Sequence, residues 1–262
     1  MVSFTHAELA ALVSGFVWPF ARILALVGTG PVLGNTAIPV RARIGLSVLI
    51  TILVAPLVRE IPAVEPWSAA GIAILVEQVI IGTAMGMVMR MVFTMVDVAG
   101  ELAGLQMGLG FATFFDPQNA ASVPIVSQFL GLLATLVFLS LNGHLLLISV
   151  LADSFATLPI GASFARSGVA LAVAEWGGAI FAAGLTLALP VVAALLIANM
   201  ALGVLTRAVP QLNIFAVGFP VTLLLGFAAL MLSLPHLTPV LARLLEGGLS
   251  AMSALATLGM AR

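Results

Sequence analysis

Long apolar runs, separated by short stretches rich in glycine, proline and polar residues, set the pattern of this chain. They fall at about 9–28, 44–58, 69–96, 125–151, 171–203 and 212–234, with a weaker amphipathic tail over 238–258. A helix needs about 20 apolar residues to cross a hydrocarbon core roughly 30 Å thick. Most of the runs reach that length; the second does so only if residues 38–43 are included. None alternates polar with apolar residues as a membrane β-strand would. The pattern predicts an all-α fold of about six hydrophobic helices. Pro190, inside the fifth run, is expected to kink its helix, because proline supplies no backbone N–H.

The third run is too long. Apolar and small residues at helical spacing continue from Ala69 to about Met107, which at 1.5 Å per residue is about 60 Å, twice the hydrocarbon thickness. Such a helix projects from the bilayer, breaks, or does not sit in lipid as an ordinary span. Asp97 and Glu101 are four residues apart near its end and share a face. Beside them Gly100, Gly104 and Gly108 form a ladder of small residues, with a second pair at Gly82 and Gly86. Ladders of this kind let backbones approach closely, either within one chain or against a neighbouring subunit. Asp97, Glu101, Gly100 and Gly104 are therefore candidates for packing or intersubunit contact.

Composition agrees with a membrane setting. Hydrophobic residues make up 62% of the 262 and charged residues 7%, against roughly 25% charged in a soluble domain. The net charge is −1 and the nine basic residues are all arginine, so no basic footprint for nucleic acid exists. With no cysteine, thiolate metal sites and disulfides are excluded. His6, His144 and His236 are far apart and match no metal-ligand spacing. No cofactor is expected. The first residues lack a positive n-region, so a cleaved signal peptide is not expected. Arg41, Arg43, Arg90 and Arg207 favour one set of loops, and Arg59, Arg166, Arg243 and Arg262 the other. The positive-inside rule therefore leaves the orientation open.

Ionisable residues inside spans are functional candidates by default. Arg22, Glu77 and Arg90 are the deepest. Glu77 stands alone in its run and no internal repeat appears, which argues against a secondary transporter. A structural Arg22–Glu77 salt bridge between two helices is expected instead. Asn142 and Asp153, eleven apart, are expected on nearly the same helix face. No nucleophile–base pair can be assembled, so no catalytic residue is assigned and an enzyme is not expected.

The stretch QMGLGFATFFDPQNAASVP (106–124) interrupts this pattern. Gly108 and Gly110 loosen or end the third helix, and Pro117 and Pro124 prevent its simple continuation. Irregular backbone at membrane depth must be buried in protein or line a cavity. Two readings are open, the first of which meets that condition. In one, the loop folds into a lumen that Phe111, Phe114 and Phe115 fill, with Asp116 and Pro117 beside them, as a plug. In the other it lies at the interface with its rings in the headgroups.

Three strings, RARIGLSVLITILVAP (41–56), LNGHLLLISVLADSF (141–155) and GVLTRAVPQLNIFAVGFPVTLLLG (203–226), resemble the FliR family of flagellar biosynthetic proteins. These are the R subunits of the type III export gate, whose virulence-system counterparts form the SctT group. The likeness covers essentially the whole length; the departures are the missing lysine and a short C-terminal tail. The resemblance implies a single export-gate domain over 1–262 whose fold resembles a P subunit fused to a Q subunit. It further implies one R copy beside several P and Q copies, in a complex largely lifted out of the bilayer plane at the centre of the basal body. A loop of the R subunit closes the pore, and by position 108–124 matches that plug. Implied partners are the P and Q subunits, the B-type switch subunit, the A-type export subunit, unfolded export substrates in transit and membrane lipid, with no nucleic acid. The implied location is the bacterial inner membrane, in the flagellar basal body. The alternatives are the homologous virulence subunit and a stand-alone secondary transporter. In RAVPQLNIFAVGFP, Gln211 and Asn213 stand close to apolar spans, where a buried amide must find a partner, in a helix–turn–helix corner held by its own side-chain bonds or in a further subunit contact. Arg207 is placed to cap carbonyls at a helix end.

Overall fold

A computed structural model describes residues 6–58, 61–110, 124–161, 169–209 and 214–258. Among these residues every regular element is helical: α1 (His6–Thr29), α2 (Val40–Val54) with a 3₁₀ turn (Ala55–Leu57), α3 (Ala69–Gln106), α4 (Ile125–Ser140), α5 (Gly143–Thr157), α6 (Val169–Ala208) and α7 (Ile214–Leu258). Five of the helices are long and apolar enough to cross a membrane, or six spans if α4 and α5 count as one. The all-α membrane fold read from the runs is therefore observed.

Two of the expected boundaries are corrected. The run at 125–151 is two helices, divided at Leu141 and Asn142, where Asn142 takes a left-handed conformation (φ 55°) as N-cap of α5. Asn tolerates that region better than other side chains, and Asn-Gly is a turn signal inside an otherwise apolar run. Asn142 thus stands outside the helix that carries Asp153, not on a shared face. The tail at 238–258, in contrast, is no separate element. α7 runs for 45 residues through Pro220, Pro235 and Pro239, as α6 runs for 40 through Pro190. In apolar surroundings a chain that leaves the helix finds no water for its freed backbone groups, so helices persist through prolines that would end them in water.

The chain divides into two compact units. The first comprises residues 1–91, 142–177 and 245–262. Its buried side chains include Trp18, Ile23 and Leu26 of α1, Met85 and Met89 of α3, Leu151 of α5 and Met252 of α7. Polar residues here satisfy themselves locally: Ser47 Oγ donates to the Arg43 carbonyl (2.8 Å) and Thr51 Oγ1 to that of Ser47 (2.6 Å). Back-bonding of this sort makes a hydroxyl tolerable on a buried face. α1 and α3 approach closely at the glycines. A Cβ on Gly82 would strike the Arg22 carbonyl, and one on Gly86 the Thr29 hydroxyl.

Arg22, fully buried, ties this unit together. Its Nε donates to Gln78 Oε1 at 2.8 Å, Nη1 to the Ser154 carbonyl at 3.0 Å and hydroxyl at 3.1 Å, and Nη2 to the Leu158 carbonyl at 3.0 Å. The guanidinium also lies 4.3 Å from the Phe155 ring centroid. Glu77 adds an attractive charge, as the sequence suggested. The hydrogen bonds, however, go to Gln78 and to carbonyls at the end of α5, which has too few N–H donors for its last turn.

The second unit comprises residues 92–141 and 178–244. Its core joins Val96, Ala99, Ala103 and Met107 of α3 to Val126, Leu130 and Ala134 of α4, Leu187, Val191 and Leu195 of α6, and Leu230 and Leu241 of α7. Phe93 meets Phe138 edge to face, with ring centroids 5.7 Å apart.

Candidate functional site

The interrupting segment is framed by the end of α3 and the start of α4, both in the second unit. α3 stops for a local reason. Gly108 is left-handed (φ 83°), its N–H donates to the Leu105 carbonyl, and the Leu109 N–H reaches back to the Gly104 carbonyl, both at 3.0 Å. This double closure is a Schellman motif, which needs a residue that accepts positive φ. Leu109 then packs against the core cluster. On the other side Pro124 is the N-cap of α4, and its carbonyl accepts from the Gln128 N–H at 2.9 Å.

The glycine ladder presses these two stems together. Gly100 is buried, and a Cβ there would collide with the backbone of Ser127. Gly104 is buried too, with Val126 Cγ2 3.7 Å from the place a Cβ would take. Ser127 Oγ donates to the Asp97 carbonyl at 2.7 Å, fastening α4 to α3 across the same contact. On the opposite flank a Cβ on Gly226 would stand 2.5 Å from Met107 Cγ, and Met107 is fully buried. The last turns of α3 and the first turn of α4 are therefore adjacent, and the segment leaves and returns at one place.

The expected site residues divide accordingly. Gly100 and Gly104 lie inside the α3–α4 contact, while Asp97 and Glu101 are exposed residues of α3, Asp97 with its Oδ1 3.4 Å from the place a Cβ on Gly131 of α4 would take. Gly108 and Gly110 lie in the turns that close α3. Phe111, Phe114, Phe115, Asp116 and Pro117 are outside the described residues, as are Gln211 and Asn213. The corner carrying the last two lies between the end of α6 at Ala208 and the start of α7 at Ile214; Arg207 is exposed in the last turn of α6. Among the described residues no group of three His, Cys, Asp or Glu side chains is placed to hold a metal. Sequence reasoning missed the Arg22 bonds to Ser154 and Leu158, which span 132 and 136 residues. No local pattern announces a contact of that range.

Residues 13–248 match the family model described as bacterial export proteins, family 1. The chain is 47% identical over 239 residues to the flagellar biosynthetic protein FliR of Pectobacterium carotovorum subsp. carotovorum, covering 91% of each. The chain belongs to the FliR family. Identity to the FliR of Escherichia coli K12 is 42% over 241 residues, 91% of each chain. To that of Bacillus subtilis it is 29% over 223 residues, 84% of this chain and 86% of the relative. The FliR family match takes in both stems of the interrupting segment, its glycine ladder and the 208–214 corner. Among the described residues the two stems form helix ends clamped at Gly100, Ser127 and Gly108.

Proposed function

We propose that this chain is a non-enzymatic subunit of the flagellar protein-export gate, and that its segment 110–124 is the plug of the channel it helps to build. Membership of the FliR family supports the first part. The paired stems support the second. Loops whose ends lie close together are frequently functional elements, and a fixed base lets such a loop hold a bulky tip in place. Here the base is held by the Gly100–Ser127 contact, the Ser127–Asp97 hydrogen bond and the Gly108 closure. Phe111, Phe114 and Phe115 would supply the bulk, with Asp116 and Pro117 beside them in the segment, and Gly110 would let the chain move aside.

The subunit acts in the bacterial inner membrane within the basal body, as one domain, beside P and Q subunits and in contact with the A-type and B-type components. Unfolded export substrates pass the opened plug. Asp97 and Glu101, charged and exposed on α3, are offered as contacts to a neighbouring subunit, as are Gln211 and Asn213 at the corner. The flagellar reading is favoured over a virulence system because the relatives cited carry flagellar names.

Removing residues 110–124 from the chromosomal copy tests this reading. The expected result is a gate that still assembles and co-purifies with its P and Q subunits, in cells that become leaky to small ions. An assembled gate with unchanged ion permeability refutes the plug. Failure of the intact chain to co-purify with P and Q subunits refutes the gate assignment itself.

A further inference from the structure

The end of α3 is held on two sides, and the two holds differ in kind. On the α4 side backbone meets backbone, Gly100 against Ser127, and the Ser127 hydroxyl fastens the contact to the Asp97 carbonyl at 2.7 Å. On the α7 side a side chain does the holding. Met107 follows the last residue of α3, its N–H donating to the Ala103 carbonyl at 3.0 Å, and its fully buried side chain lies flat on Gly226. A Cβ on Gly226 would stand 2.5 Å from Met107 Cγ, 2.9 Å from Cε and 3.0 Å from Sδ, so only glycine leaves the methionine this place. Thr222 and Leu230, one turn to either side on the same buried face of α7, make the glycine a notch between two larger residues. A methionine side chain has three rotatable bonds, and its sulfur is at most a weak hydrogen-bond acceptor. The α7 hold therefore rests on apolar fit and can part by rotation of one side chain, where the α4 hold cannot.

The stretch of α7 that carries the notch is loosely built. Pro220 supplies no N–H to the turn before it. Two residues on, the Thr222 hydroxyl donates to the Phe219 carbonyl at 3.0 Å, a back-bond of the kind that bends helices. Gly226 is itself a poor helix former. These three weak points fall within about two turns of helix. Before them α7 starts at Ile214, directly beyond the corner at 208–214. From Ile214 to Gly226 the helix rises about 18 Å, so a load on the corner is carried along that lever to the wall on which Met107 sits. The string at 203–226 spans the corner, the weak turns and the notch.

We propose that Met107 seated on Gly226 is a latch. While the methionine lies in the notch, the end of α3 is clamped from both sides and the segment that follows is held closed. Movement of the first turns of α7 unseats it and frees the stem on that side. Met107 and Gly226 are positioning residues, acting through the end of α3. The latch presupposes that 110–124 is the plug, and supplies what releases it.

The chain lacks cysteine, so Met107→Cys combined with Gly226→Cys gives a lock that can be set and undone. A sulfur at 107 takes nearly the place of Met107 Cγ, beside the Cβ position of residue 226, which brings the two thiols within bonding reach. The doubly substituted chain is assembled with its P and Q subunits in inverted membrane vesicles and oxidised with copper phenanthroline. Passage of an export substrate into the protease-protected lumen is then measured. Export should fall severalfold on oxidation and return on reduction with dithiothreitol, while each single-cysteine gate is indifferent to the oxidant. A cross-linked gate that exports as well as its reduced form overturns the latch, because the contact then need not part. Absence of cross-linking in an assembled gate overturns it too, because the two residues then do not touch. Gly226→Ala tests the unseated state. It displaces Met107, and in planar bilayers the assembled gate should pass severalfold more ion current than the parent although residues 110–124 are intact. The same substitution should add nothing once 110–124 are removed. No extra current with the segment present, or the same extra current without it, overturns the latch. Removal of 110–124 that opens no conductance refutes the plug itself; removal that opens one, beside a silent Gly226→Ala gate, refutes only the latch. If the Gly226→Ala chain fails to assemble, the cysteine pair decides, since shortening residue 107 makes room for the added Cβ.

Discussion

Replacing Arg22 by methionine keeps most of the side-chain volume and removes the guanidinium. Four hydrogen bonds are lost, to Gln78 Oε1, the Ser154 carbonyl and hydroxyl, and the Leu158 carbonyl. The Ser154 hydroxyl keeps a bond of its own to the Leu151 carbonyl at 2.6 Å, so its loss is small. The Ser154 carbonyl likewise keeps the Leu158 N–H at 2.9 Å, so the loss falls chiefly on the Gln78 oxygen and the Leu158 carbonyl, and a buried acceptor left without a donor costs about 1–3 kcal/mol. Relief from burying a cation offsets part of this, yet removing one side of a buried charged set still costs about 3–5 kcal/mol in measured cases. We therefore expect Arg22→Met to destabilise the first unit by about 3 kcal/mol. Ser154→Ala removes two bonds, from Arg22 Nη1 and to the Leu151 carbonyl, but leaves the guanidinium with its carbonyl and Gln78 partners, and should cost about 1–2 kcal/mol. Arg22→Lys should fall between the two: an ammonium keeps the charge but lacks the planar fork that reaches Gln78, Ser154 and Leu158 at once. Trp18, buried in the same unit, gives the fluorescence signal for unfolding by sodium dodecyl sulfate in mixed micelles. An Arg22→Met chain as stable as the parent, or Ser154→Ala the more damaging of the two, would refute the reasoning.

Other substitutions test the stems and the exposed edge. Gly100→Val forces a branched side chain into the Ser127 backbone and should cost at least the about 1–3 kcal/mol of ordinary overpacking, read as lost thermal stability and lower recovery of assembled gate. Gly108→Val puts a β-branched residue at φ 83°, where asparagine is better tolerated. Gly108→Asn should therefore retain export, measured by motility, better than Gly108→Val. Reversing both charges, Asp97→Lys with Glu101→Lys, should leave the abundance of the chain near normal while reducing its co-purification with P and Q subunits. Normal recovery of the complex would remove these two residues from the interface.

The sequence pattern was most legible where one physical cause acts locally. The extent of α3 follows from unbroken apolar and small residues at helical spacing, and its end from a glycine that accepts the positive φ of the closing turn. The glycine ladder likewise signalled close approach, and the backbone of Ser127 is what meets it at Gly100. The α4–α5 division was missed because Asn142-Gly143 sits in a run so apolar that its turn chemistry was outweighed. The tail at 238–258 is set apart from the run at 212–234 by a drop in apolar content, while α7 continues through Pro235 and Pro239 between them. The partners of Arg22 were not legible at all. A lone acid nearby, Glu77, was visible, but helix-end carbonyls more than 130 residues away carry no signature in the chain.

The most direct test of the gate account is electrical. The assembled gate, purified with and without residues 110–124 of this chain, is placed in planar bilayers under a fixed voltage. The intact assembly should stay closed and the shortened one should pass steady ion current through discrete openings. Two equally silent membranes, with assembly of both proteins confirmed, would contradict it.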